Sequence, residues 1–223
     1  MQDLIQQERF EIEVLDRLNT GRLLGNLVFG GGTMLRLCFG LNRFSVDLDF
    51  WTVKEIDPST LFQKMQRSLS EFYAIKDATV KFYTLLFEVK SKNYPRSLKI
   101  EIRKQAKKVA FEKAIAYSRY STTQVLLHVV SLSEMMKAKI EAFLGRKEIR
   151  DVFDMEFLLK RGIPLDAPPE TLARVLREID RLKKRDYSVK LGSLVDEDQR
   201  KYYVSENFKL LKLALREKAG KVD

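Results

Sequence analysis

One cysteine, Cys38, and one histidine, His128, are all that this 223-residue chain offers to sulfur or imidazole chemistry. No intramolecular disulfide can form, and a Cys/His zinc site or a Ser-His-Asp triad lacks its material. Cys38 lies in an apolar stretch and reads as core; His128, inside an apolar β-prone run, reads as structural. No apolar run approaches the ~18 residues of a membrane span. The N-terminus, MQDLIQQERF, is charged and has no signal-peptide core. These absences predict a cytoplasmic protein without a membrane partner. They also mean that any metal must be held by oxygen, which points to Mg²⁺ or Mn²⁺. Neither an internal repeat nor a low-complexity tract is found.

What is present is enough for a core, since 45% of the residues are hydrophobic. The net charge is +10, and most of it is concentrated in one place. Residues 90–119 carry ten Lys and Arg against only Glu101 and Glu112, with Tyr94, Phe111, Tyr117 and Tyr120 interleaved. Phosphate attraction combined with aromatic stacking is the pattern of nucleic-acid contact, and Lys99, Arg103, Lys104, Lys107 and Lys108 are its candidates. A solvated basic surface fits the same charge equally well.

The most informative stretch runs from Phe29 to Phe50, FGGGTMLRLCFGLNRFSVDLDF. Leu27-Val-Phe29 reads as a short strand. Gly30-Gly31-Gly32 follows, and a helix is expected from about Thr33. Backbone N–H groups at such a turn, with the helix dipole, face an anion such as a triphosphate. Thr33 would cap the helix, bind a phosphate oxygen, or both. No Walker lysine follows, and G-x-G-x-x-G is absent.

Val46 to Trp51 then alternates as a strand, so Asp47 and Asp49 point the same way, roughly 6 to 7 Å apart. Two divalent ions about 3.5 to 4 Å apart require carboxylates at about that spacing. An isolated D-x-D is weak evidence. Glu101 strengthens it, as an outward acid between Ile100 and Ile102 on another predicted strand. Nucleotidyl transfer calls for such a third carboxylate to complete the metal site and take the attacking hydroxyl's proton. Glu88, on the preceding strand, is the alternative.

Elsewhere, helices are expected from Leu4 to about Leu18 and from Pro58 to about Tyr73, with strands over 80–89, 97–103 and 124–130. After Val130 the pattern becomes helical. Ser131-Leu-Ser-Glu134 fits a capping box, and helices follow to about Leu144, over 149–160, through the stripe Leu172, Val175, Leu176, Ile179, Leu182, and over 207–218. The chain therefore reads as α+β, with a mixed core in residues 1–128 and a helical region in residues 129–223.

Two blocks carry a family resemblance. Gly31-Gly-Thr-Met-Leu-Arg-Leu37, with Gly40 and Arg43-Phe-Ser-Val-Asp-Leu-Asp-Phe50, resembles the glycine–aspartate block of AbiEii/AbiGii-type nucleotidyltransferase toxins. These toxins are members of the DNA polymerase β-like nucleotidyltransferase superfamily. Leu132-Ser-Glu-Met-Met-Lys-Ala-Lys139-Ile-Glu-Ala142, with Arg146 and Arg150-Asp151-Val-Phe-Asp154, looks like the family's second, helical block. Together the blocks cover about fifty residues. The resemblance implies a polymerase β-like core of mixed sheet flanked by helices, followed by a helical C-terminal region that closes the nucleotide cleft. It implies metal binding by Asp47 and Asp49, triphosphate contact by Lys139, and a cleft lined or braced by Arg146, Arg150, Asp151 and Asp154. It further implies nucleotidyl transfer from an NTP, in some members to the 3′ end of tRNA, and a cognate antitoxin partner.

Helical spacing bears on the second block independently. On one continuous helix Lys139, Arg146 and Arg150 would fall within about 20° of a line, a cationic row suited to an anion. Arg150 and Asp154 are also spaced as an ion pair. If Gly145 and the residues after it break the helix, tertiary folding must produce the alignment instead. The sequence departs from the family at Gly30, where many relatives carry lysine; that phosphate contact is then either missing or supplied elsewhere, as by Arg36 or Arg43. It departs again at Glu101, often an aspartate. Ser45 would contact the nucleotide or shape the turn. The reading is a Mg²⁺-dependent enzyme transferring NMP to an acceptor hydroxyl, with RNA favoured by the basic stretch. A small-molecule acceptor and a non-catalytic nucleotide- or RNA-binding protein are the alternatives.

Overall fold

The computed structural model describes residues 2–220, which divide into two compact units between Ser131 and Leu132. The first opens with helix α1 (Gln2–Thr20), strand β1 (Leu27–Gly30), helix α2 (Gly31–Phe39), strand β2 (Asp47–Thr52) and helix α3 (Pro58–Ser70). Five strands follow: β3 (Ala74–Val80), β4 (Thr84–Lys90), β5 (Leu98–Arg103), β6 (Phe111–Tyr117) and β7 (Gln124–Val130). They form one seven-stranded sheet in the order β3-β4-β5-β2-β1-β7-β6. The pairs β2–β5 and β1–β7 are parallel and the rest antiparallel.

Alternation along each strand separates the two faces of the sheet. Phe29 pairs with Phe50 and Val129, Leu48 with Ile100, Phe50 with Ile102, and Ile100 with Phe87. All of these are essentially inaccessible to solvent. Rings meet on this side, Phe29 on Phe50 at 5.3 Å and Phe62 of α3 on Phe87 at 5.0 Å. Burying such side chains stabilises the unit by about 1.5–3 kcal/mol each. The opposite face carries Asp47, Asp49, Lys99, Glu101 and Arg103 together with the buried Val28, Trp51 and Leu86.

Local chemistry explains the helix ends. Gly40 closes α2 in the left-handed region at φ 76°, where its N–H donates to Arg36 O and Leu35 O. Asp57 caps α3 by accepting from Thr60 N at 2.8 Å, with Pro58 in the first turn.

Two strands depart from the sequence expectation. Residues 80–89 were expected as one strand, but a turn at 81–83 divides them, so that β3 pairs back on β4. Lys81-Phe82-Tyr83 contains none of the usual turn residues, which is why the break is invisible to pattern reading. Strand β6 lies inside the basic stretch and, as an edge strand, is largely solvent-exposed, so it lacks strict alternation.

The second unit contains helices α4 (Leu132–Arg146), α5 (Ile149–Lys160), α6 (Pro169–Asp180), α7 (Glu197–Glu206) and α8 (Lys209–Ala219), with a π-helical segment Asp186–Leu191. The boundary between Ser131 and Leu132 falls three residues beyond the expected one at 128/129. Helices α4 and α5 are separate, because the chain turns at Lys147, φ 57°. The row of Lys139, Arg146 and Arg150 therefore does not lie on one helix. A buried ion network replaces it. Lys139 Nζ lies 2.6 Å from Asp154 Oδ2 and 3.3 Å from Asp151 Oδ1. Arg146 grips Asp151 through Nε at 2.7 Å and Nη2 at 2.6 Å. Both aspartates are fully buried. Asp154 thus serves Lys139 on α4 rather than the expected i, i+4 partner alone. Among the described residues of the chain, no helix is long and apolar enough to cross a membrane.

Breaking a buried ion pair leaves a charge uncompensated in low dielectric, at a cost of about 3–5 kcal/mol. Asp151→Ala, which removes the bidentate acceptor of Arg146 and one acceptor of Lys139, is expected to lose that much in urea unfolding followed by circular dichroism. A loss under about 1 kcal/mol would show that the network behaves as a solvent-screened surface pair.

Candidate active site

The sheet register assembles the site. In the parallel β2–β5 pair Asp47 lies opposite Lys99 and Asp49 opposite Glu101; in the antiparallel β1–β2 pair Gly30 lies opposite Asp49. Residues in register share a face. Gly30, Asp49 and Glu101 therefore form one row across three adjacent strands, and Asp47 stands two residues earlier on the same face. Leu48 and Ile100, on the other face, anchor both strands in the core. Glu88 is opposite Lys99 on β4, so a lysine stands between it and Asp47, and Ser97 Oγ donates to its carboxylate. Of the two candidates for the third acid, only Glu101 is a direct neighbour of the aspartates. All three acids are half-buried.

The glycine turn is fitted to this row. Helix α2 begins at Gly31 rather than near Thr33. Gly31 adopts φ 78°, and a Cβ there would overlap Asp49 Oδ2. A Cβ on Gly32 would stand 2.5 Å from Arg43 Nη2 and 2.9 Å from Ser45 Oγ. The turn thus lies directly on the Asp49 carboxylate on one side and on Arg43 and Ser45 on the other. Arg43 is the largest fully buried side chain, 2% exposed, and its Nη1 donates to Phe44 O at 3.0 Å. From that position Arg43 and Ser45 shape the turn. Thr33 is also buried and donates its hydroxyl to Asp47 O at 2.6 Å, latching α2 to the start of β2. Gly30 leaves room for Trp51, whose Nε1 would be 3.3 Å from a Cβ there. Arg36, the other candidate for the missing family lysine, is paired with Glu8 and lies 3.8 Å over the Phe44 ring.

The donor set suits a hard cation. Mg²⁺ is usually held by one or two carboxylates together with substrate phosphates, not by an all-protein cage, and Asp47 and Asp49 supply such a pair. Among the described residues, no group of three or more His, Cys, Asp or Glu is placed to hold a metal ion by itself. Cys38 is outside this chemistry, with a thiol pushed up to about 12 by burial. His128 packs edge-on to Phe111 at 5.4 Å. It also lines a cavity of about 330 Å³ with Asn19, Arg22, Leu24 and Leu126, which contains none of the acids.

The basic stretch does not form one surface. Lys99, Arg103, Lys104, Lys107 and Lys108 lie on or just after β5, whereas Phe111 and Tyr117 lie on β6, separated from β5 by three strands. Tyr94 stacks on Phe10 at 4.6 Å and donates to Glu13. Lys90 donates to Tyr94 O and Pro95 O. Arg103 and Lys107 both approach the Trp51 ring, at 5.3 and 4.9 Å.

Sequence reasoning missed Glu11. On α1 it is fully buried, and neither carboxylate oxygen has a hydrogen-bond partner. Its pKa is held well above 4.5, first by desolvation, then by the negative charge of Glu8; Arg36 opposes the rise and Asp47 adds to it. The available signal was the run Gln7, Glu8, Glu11, which sits among the apolar positions of α1 and is buried with them.

Two predictions follow from this geometry. Gly31→Ala forces a side chain into the left-handed region, costing about 1–2 kcal/mol, and drives it into Asp49. It should lower stability by at least that amount and depress activity beyond what lost stability explains, read by thermal unfolding and turnover together. For Glu11, folding favours the protonated form. The stability it contributes is complete below the unfolded pKa of about 4.3 and is lost as pH rises towards the folded value. Glu11→Gln should therefore be more stable than the parent near about pH 8, with the advantage vanishing near about pH 4. A pH-independent difference would show that Glu11 stays charged.

The comparisons with known proteins agree with this architecture. The family model described as nucleotidyl transferase AbiEii toxin, type IV TA system, matches residues 13–218. The crystal structure of a candidate nucleotidyltransferase from H. pylori superposes with TM-score 0.58 at 22% identity, covering 93% of this chain and 96% of that one. JHP933 from Helicobacter pylori superposes with TM-score 0.56 at 22% identity, covering 96% and 95%. At such identity the structures establish the fold. No curated protein matches the chain. With the family model spanning nearly the whole chain and the glycine turn seated on paired strand aspartates, the protein belongs to the AbiEii nucleotidyltransferase toxin family of type IV toxin–antitoxin systems.

Proposed function

We propose that the enzyme transfers a nucleoside monophosphate from an NTP to the terminal hydroxyl of an RNA acceptor, of the tRNA 3′-end class, with Mg²⁺ or Mn²⁺ as cofactor. It would do so as the toxin partner of a cognate antitoxin. The observation that carries the reading is the row Gly30–Asp49–Glu101, with Asp47 on the same face and Gly31 abutting Asp49.

The chemistry follows from that row. Asp47 and Asp49 would hold the cation, which would supply neutralisation of charge on the triphosphate and acidification of the acceptor hydroxyl. The turn at Gly31 and Gly32 directs backbone N–H groups at the phosphates, held in shape by Arg43, Ser45 and Thr33. Glu101 takes the proton of the attacking hydroxyl. The acceptor oxygen bonds to the α-phosphorus, the bond to the β-phosphate oxygen breaks, and pyrophosphate leaves. In the helical unit we assign Lys139, Arg146 and Arg150 to the triphosphate, with Asp151 and Asp154 bracing them. Lys139 is buried against both aspartates, and Arg146, paired with Asp151, is the more exposed of these two cations.

Asp47→Asn and Asp49→Asn should each lower transfer from an α-labelled nucleotide to total RNA by more than about 100-fold, while the thermal transition is retained. Undiminished transfer by either variant removes it from the metal site. Label that enters no RNA but enters a small molecule assigns a different acceptor.

A further inference from the structure

The tip of the β3–β4 hairpin combines two features that the fold does not explain. Phe82 and Tyr83 are the most exposed large hydrophobic side chains among the described residues, 82% and 73% accessible. They pack edge-to-face on each other, with centroids 4.5 Å apart. Single exposed apolar residues are ordinary, but adjacent aromatics at a tight turn run against turn chemistry, which favours Gly, Asn, Asp, Pro and Ser. Such a local conflict without structural benefit is characteristic of functional positions.

The tip is held against the basic end of β5. Lys81 N donates to Thr84 O at 2.8 Å, closing the turn, and Lys104 N donates to Tyr83 O at 3.0 Å. Thr84 pairs with Arg103. Arg103 is two residues beyond Glu101 on the same face, so about 7 Å separates their Cα atoms. Lys81 and Arg103 are exposed, and Lys107 follows, its backbone N–H tied to Thr52 O at 2.9 Å. The aromatics that interleave the basic residues in sequence lie elsewhere in the fold, whereas these two stand beside Arg103 and Lys104.

We infer that Phe82 and Tyr83 form a stacking platform for an unpaired base of the RNA acceptor, a few nucleotides upstream of the reacting 3′ hydroxyl, with Lys81, Arg103, Lys104 and Lys107 neutralising the phosphates between platform and acid row. This rests on the RNA-acceptor reading above. Every base presents a π-face, so the platform supplies affinity for single strands without selecting sequence. A single-stranded end is the occupant that matches both the aromatic tip and its surrounding positive charge. A protein partner would use the aromatics but has no need of the basic track leading to the acids.

The test uses the full-length protein and a fluorescein-labelled single-stranded RNA oligonucleotide with a free 3′ hydroxyl. The Phe82→Ala/Tyr83→Ala double variant should raise the dissociation constant about tenfold or more, with an unchanged slope of log affinity against log salt. Lys104→Ala should reduce that slope by about one. Both should keep NTP affinity and the parent melting temperature, because Phe82 and Tyr83 are exposed and Lys104 is only half-buried. Phe82→Trp should bind normally, with its fluorescence quenched by the oligonucleotide. Unchanged RNA affinity in the double variant, or no quenching, overturns the platform while leaving the RNA acceptor standing, and is the result expected of a protein-docking tip. If the parent binds no RNA while still transferring nucleotide to another acceptor, the acceptor reading falls, and the platform with it.

Discussion

The contact between Gly31 and the Asp49 carboxylate is the constraint around which the catalytic unit is arranged. A side chain at residue 31 would occupy the volume of an Asp49 oxygen, and the backbone there lies in the left-handed region that favours glycine. Because β1 pairs antiparallel with β2, the end of β1 is brought level with Asp49, and α2 starts at that level. A helix N-terminus and a carboxylate are thereby placed side by side. A metal–triphosphate complex needs that juxtaposition, since its charges of both signs must be met at once.

The surroundings of this contact supply rigidity rather than further ligands. Arg43, buried under Gly32, and Thr33, bonded to Asp47 O, tie the helix to the strand from both sides. Preorganisation of this kind lets dipoles and charges act without reorganising during the reaction. Burial of Glu11 has the opposite sign, since desolvation raises its carboxyl pKa and folding favours its protonated form. In the helical unit, Lys139, Asp151 and Asp154 form a buried charged cluster that Arg146 closes from the surface, and its aspartates come from the helix after the break at Lys147.

The acid-bearing face of the sheet continues in one direction into basic and aromatic residues. Moving up β5 from Glu101 leads to Arg103 and Lys104, and across to the Phe82–Tyr83 turn. Acid, base and aromatic groups follow one another within a few residues of strand, as a polymer with a reactive end, charged linkages and flat bases requires.

Much of this was legible before any coordinates. Alternation in Val46–Trp51 and in 97–103 predicted which residues face together, and the apolar residues between the acids predicted burial of the other face. Helices in both units could be read from periodicity, because one-sided burial writes a period of 3.6 into the sequence. Other features depend on contacts between distant segments. No pattern indicates that β2 lies between β1 and β5, so the chain could favour Glu101 over Glu88 only through its place between Ile100 and Ile102, and the dispersal of the basic stretch could not be read at all. Nothing local marks Lys81-Phe82-Tyr83 as a turn. The helical row of Lys139, Arg146 and Arg150 fails because a single backbone reversal at Lys147 outweighs a spacing rule. The sequence by itself determined the chemistry on offer, oxygen ligands, a glycine turn and a polymerase β-like family pattern, because residue type and periodicity are local properties. The tertiary structure alone decided which acids are neighbours and which cations share a surface, because strand order and register arise from packing across the whole sheet.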